Sequence, residues 1–177
     1  MIRKIFLFLI VIFLALWQIS FFSEFYAIKN YCNFILIGTV LITTVINYKN
    51  GLVFALLAGL ILDSYSAYNF GLLTVSLLLP VIIINYLFRK PLARKSIYSL
   101  ALLMTISTLA YNFALSLVAN LFYWLNWNPL TIIIDKPYLF TVLIQILIHV
   151  ILISALFWII KSSRRLIRSK FIISEQI

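Results

Sequence analysis

Four acids, one histidine and one cysteine are the strongest chemical groups in this 177-residue chain. The acids are Glu24, Asp63, Asp135 and Glu175, and the others are His149 and Cys32. Catalysis draws on convergent acids, bases or nucleophiles. The sequence has no pair of carboxylates at helical spacing, no Ser-His-Asp order with supporting context, no glycine-rich phosphate loop and no histidine-rich metal pattern. A single cysteine excludes an internal disulfide and a cysteine-cluster metal site, and Cys32 reads as a small apolar filler. The expectation is a chain with no catalytic residue, no metal and no cofactor.

Asp63 stands out because of what precedes it. Gly51, Ala55, Gly59 and Asp63 recur every fourth residue and form one slowly drifting stripe on a helix. The small residues admit another backbone at close range, and an acid at membrane depth is a functional candidate by default. Gln145 and His149, also four apart, share a helix face. They suit a polar pocket or proton path with Asn112 or Asn120, or simple inter-helix hydrogen bonds, and the second reading is preferred.

The elements that must position these residues follow from composition. Apolar residues make up 65% of the chain, against about 45–50% in soluble domains, and several runs approach the roughly 20 residues that cross a bilayer. The expected fold is an all-α membrane protein of six transmembrane helices, over about 5–22, 31–47, 51–65, 70–88, 97–123 and 138–160, with a basic tail over 161–177. The Met-Ile-Arg-Lys opening imitates a secretory signal, but the run to about Phe22 is long and no small-x-small cleavage site follows; it reads as a retained first span. Breaks are expected at Asn47–Gly51, whose Asn-Gly pair marks a tight turn, at 89–96, and between Trp124 and Pro137. The third span is short, which suits a central helix packed by its neighbours. Pro80 is expected to bend the fourth span and free a carbonyl near residue 76.

Charge sets the orientation. With the N-terminus inside, Arg3, Lys4, Lys49, Arg89, Lys90, Arg94, Lys95, Lys161, Arg164, Arg165, Arg168 and Lys170 fall on the inner side, and Lys29 and Lys136 on the outer. That is a strong positive-inside bias and places both termini in the cytoplasm. The net charge of +10 therefore reads as topology signal and lipid-headgroup contact, not nucleic-acid binding. Arg89, Lys90, Arg94 and Lys95 in one loop, and Arg164, Arg165 and Arg168 in an amphipathic tail, are the candidate contacts for anionic lipids or a partner. Tyr123, Trp124, Trp127 and Tyr138 suit an outer aromatic belt, and Asp63 falls toward the outer interface.

The joint pattern Gly51, Gly59-Leu-Ile-Leu-Asp63, a short polar turn, then Phe70-Gly71-Leu72 entering a fourth span resembles MreD, the rod shape-determining membrane protein of bacteria. The motif covers roughly 21 residues, and the remainder agrees in topology, including a basic cytoplasmic loop after span four. The resemblance implies a non-enzymatic, multi-pass subunit of the bacterial cytoplasmic membrane that belongs to the cell-elongation machinery. Such a subunit binds MreC and supports side-wall peptidoglycan synthesis by coupling MreB to RodA and penicillin-binding protein 2. The family's fold is similar to the S components of energy-coupling-factor transporters, which makes binding of a vitamin-like molecule near Asp63, Asn112 and His149 the alternative. On the first reading Gly51, Ala55, Gly59, Asp63 and Gly71 form a helix-packing or partner face.

Overall fold

The computed structural model describes residues 13–20, 31–66, 69–88, 97–127 and 132–173. These residues form six helices and no strand: α1 over 13–20, α2 Phe34–Val45, α3 Tyr48–Tyr65, α4 Leu72–Phe88, α5 Ile97–Trp124 and α6 Lys136–Ile173. Two of them, α5 and the Lys136–Ile159 stretch of α6, are long and apolar enough to cross a membrane. At 1.5 Å per residue the 12 residues of α2 rise only about 18 Å, less than the roughly 30 Å of a hydrocarbon layer.

α2 is rich in β-branched residues, a composition that favours a helix weakly in water. Away from water the backbone has no other partner, and the helix is the local solution. Thr39, Thr43 and Thr44 turn their hydroxyls onto the carbonyls of Ile35, Thr39 and Val40 at 2.6–2.8 Å, so their burial leaves no donor unpaired. This half-length helix contacts α3, α4, α5 and α6. α1 closes its remaining side, with Trp17 stacked on Phe34 at 5.9 Å between ring centres. The most enclosed element is thus α2, while α3 is packed between α2 and α4. Its Ile35, Leu36 and Val40 form the core with Phe54 of α3, Leu77 and Val81 of α4, Met104 of α5 and Ile153 of α6.

The boundaries differ from expectation in two places. α3 begins at Tyr48, so Asn50 and Gly51 lie in its first turn and the break is confined to Ile46–Asn47. Gly51 is placed there for its missing side chain. A Cβ at Gly51 would lie 2.9 Å from the Cα of Thr43, which is how the α2–α3 hairpin closes so tightly. At the other end α6 continues unbroken to Ile173, a helix of about 57 Å. The stretch expected as a separate tail helix from residue 161 therefore continues α6 through Arg164, Arg165 and Arg168. α4 runs through Pro80 without interruption. The loop carrying Arg89, Lys90, Arg94 and Lys95 lies outside the described residues, as do residues 5–12 of the first expected span and Glu24 and Lys29.

The remaining ends are capped by recognisable signals. Asn126, at φ 56°, ends α5 with bonds from its own N–H to Tyr123 O and from Trp127 N–H to Phe122 O, the paired pattern of a Schellman turn. Asp135 accepts from Tyr138 N–H at 2.9 Å and starts α6. Asn69 donates to Trp127 O at 3.2 Å, tying the α3–α4 turn to the end of α5. Both connections therefore lie at the same end of the bundle, as alternating helices require. Large apolar side chains remain on the outside, among them Phe140, Leu143, Leu147, Ile151 and Trp158 along one face of α6.

Candidate functional site

The Gly51–Asp63 stripe lies wholly inside the chain. Ala55 is 0% exposed and Asp63 4%. Gly51 faces Thr43 of α2, while a Cβ on Gly59 would lie 2.6 Å from the Cα of Thr74 in α4. The face is thus consumed by two neighbouring helices of the same molecule, and its role is internal packing.

That close approach brings the first turn of α4 to Asp63. Oδ2 accepts from Gly71 N–H at 3.0 Å, Thr74 N–H at 3.1 Å and the Thr74 hydroxyl at 2.5 Å, and Oδ1 accepts from Leu73 N–H at 2.8 Å. The first N–H groups of a helix have no partner within it, and an N-cap side chain ordinarily supplies one. Here the residue preceding Leu72 is Gly71, which has no side chain and sits at φ +96°. The acceptor comes instead from Asp63, eight residues earlier, and its carboxylate also lies favourably at the positive end of the α4 dipole. Gly59 supplies the proximity, Gly71 the backbone turn, and Asp63 the acceptor. Thr74 completes the unit, and it was not singled out in the sequence. Its position three residues after Gly71, at the third residue of α4, is the usable signal.

A second polar group lies between α1, α2, α5 and α6. His149 Nε2 accepts from the backbone N–H of Asn33 at 2.9 Å, so the ring's proton is assigned to Nδ1, which faces Thr108 Oγ1 at 3.0 Å. The Thr108 hydroxyl in turn donates to Met104 O at 2.9 Å. His149 is 0% exposed. One turn away, Asn112 donates to Gln145 Oε1 at 2.7 Å and to Thr108 O at 2.9 Å. Thr108 and Asn112 on α5 thus mirror the i, i+4 spacing of Gln145 and His149 on α6. The expected pairing of Asn112 with this face is observed. Asn120, the alternative, instead donates its amide Nδ2 to Ile132 O and accepts from Ile132 N–H at its Oδ1, both at 3.3 Å.

The residues missed are those that fasten α2. The side chain of Asn33 caps α2 by accepting from Leu36 N–H at 3.0 Å, and Gln18 of α1 accepts from Ile35 N–H at 2.9 Å. With His149 on Asn33 N–H, side chains from α1, α2 and α6 hold the N-terminal end of one short helix. Asn33 ahead of an apolar run is an ordinary N-cap signal, but contacts 116 residues apart leave no local trace.

Both groups are networks of internal bonds, and no set of His, Cys, Asp or Glu residues capable of holding a metal occurs among the described residues. Comparison with protein-family models, with curated proteins and with solved structures finds no match to this chain.

Proposed function

We propose that this chain is a non-enzymatic scaffold of the bacterial cytoplasmic membrane, a subunit of the rod-shape elongation machinery that binds an MreC-like membrane protein. Through it the chain supports side-wall peptidoglycan synthesis by RodA and penicillin-binding protein 2 along MreB. On this reading it spans the membrane six times with both termini inside. The charge distribution supports that topology, with twelve basic residues inside and two outside. The shared end of the α3–α4 and α5–α6 connections agrees with it.

The observation that carries the proposal is the role of the resembling motif. Gly59, Asp63 and Gly71 assemble a turn, with the carboxylate engaged by four donors from Gly71 and the first turn of α4. The motif serves architecture, as a scaffold requires. The outward apolar face of α6 leaves surface for a membrane partner.

Native mass spectrometry of the full chain, purified with a co-expressed MreC-like protein, tests this. The expected result is a defined complex of the two proteins. A chain that ignores the partner and carries one vitamin-sized molecule per copy would move the reading to a transporter S component.

A further inference from the structure

The helices of this bundle match different membrane thicknesses. On α3, Lys49, Val53, Leu56, Leu60 and Ser64 follow one another at three- and four-residue steps and share one face. Lys49 and Ser64 are exposed, as are Val53 and Leu56 between them, so this face is turned outward. From Lys49 to Ser64 it rises about 22 Å, against the roughly 30 Å of a hydrocarbon layer. On α6 every exposed side chain from Leu139 to Ile159 is apolar, and that face rises about 30 Å. The two helices lie on different flanks, at the ends of the row α3–α4–α5–α6 in which each packs on the next.

The short span is fixed by the fold. Gly51 seated against Thr43 holds one end of α3, and Asp63 on the first turn of α4 holds the other. Asn47, the N-cap, makes no side-chain bond to the first turn, so the N–H groups there need water at that level. A span too short for its bilayer is accommodated by long flanking side chains, by association or by thinning of the lipid. Lys49 can reach outward at one end, but Ser64 and Ser66 at the other are short. Membrane helices associate through small residues, and those of α3, Gly51, Ala55 and Gly59, are already buried inside the bundle. The neighbouring α4, of 17 residues, rises only about 25 Å in full. Thinning is the remaining solution, and any tilt of α3 adds to it.

We propose that the α3 flank thins the bilayer beside it and gathers phospholipids of short acyl chain, while the α6 flank meets lipid of ordinary thickness. This rests on the six-span reading above, in which α3 crosses the membrane.

The test is photo-crosslinking of the full-length protein, with the crosslinker at Leu56 or, separately, at Leu147. The vesicles contain equal amounts of dimyristoleoyl- and dieicosenoyl-phosphatidylcholine. At Leu56 the short-chain lipid is expected in about threefold excess, since each ångström of mismatch costs a fraction of a kcal/mol; at Leu147 no such excess is expected. Lys49→Leu with Ser64→Leu lengthens the apolar face and should bring capture at Leu56 to parity, and Ser64→Leu alone, should the pair not fold, should reduce the excess. Equal capture at Leu56 in the wild type overturns the proposal, as does the same excess at Leu147, a protein-mass adduct at Leu56, or an undiminished excess in a folded variant. Thiol labelling of Lys49→Cys and Ser66→Cys from the same side of sealed vesicles, in a Cys32→Ala background, would overturn the six-span reading and this proposal with it. Equal capture with labelling from opposite sides would overturn the proposal alone.

Discussion

Asp63 performs at a distance the task that an N-cap side chain performs within a helix. Because Gly71 contributes no side-chain oxygen, removing the carboxylate leaves the N–H groups of Gly71, Leu73 and Thr74 without their acceptor. An unsatisfied buried donor costs about 1–3 kcal/mol, and since two of the three bonds are only partly buried, Asp63→Ala is expected to lower stability by about 2–3 kcal/mol. Asp63→Asn keeps the shape but turns an NH₂ toward donors, and should recover less than half of that loss in denaturant unfolding of the detergent-solubilised protein. Gly59→Ala drives a methyl into the α4 backbone at Thr74, whereas Gly38→Ala meets the tip of the Phe54 ring at 3.2 Å. The same unfolding assay should rank Gly59→Ala as clearly the more damaging. The Gly59–Asp63–Gly71 set was legible in the sequence because its members fall at helical spacing and at a turn. Thr74 was not, since a threonine entering an apolar helix looks like any other.

At the scale of elements, the short α2 is the unusual part. Its N-terminal end is met by Gln18, Asn33 and His149, so its position depends on α1 and α6 together. His149→Ala should cost about 1–3 kcal/mol, the penalty for a buried unpaired N–H. Hydrogen exchange at Asn33 is expected to accelerate with it, while exchange in α5 changes little. Equal acceleration throughout the bundle would mean that His149 merely fills space. The sequence revealed the outline of α5, whose apolar run stops near Asn126, and the start of α6 after Asp135, but it divided α6 at residue 161. It placed the α2–α3 break too late, because Asn50-Gly51 carries a turn signal that close packing against Thr43 uses differently. The centrality of α2 is a tertiary property, and 12 residues of apolar sequence do not disclose how many neighbours surround them.

The molecule as a whole joins a bundle fastened by internal polar bonds to an outer surface left apolar. In a Cys32→Ala background, a membrane-impermeant thiol reagent should label Asn126→Cys in intact cells, and should label Lys49→Cys only after the membrane is opened. The reverse pattern would invert the orientation. The proposed scaffold role is tested most directly by depleting the chain from cells that express it and imaging new side-wall peptidoglycan. Cylindrical insertion is expected to stop and cells to round up, with recovery on re-expression of the wild-type chain. Cells that remain rods with normal side-wall insertion would contradict it.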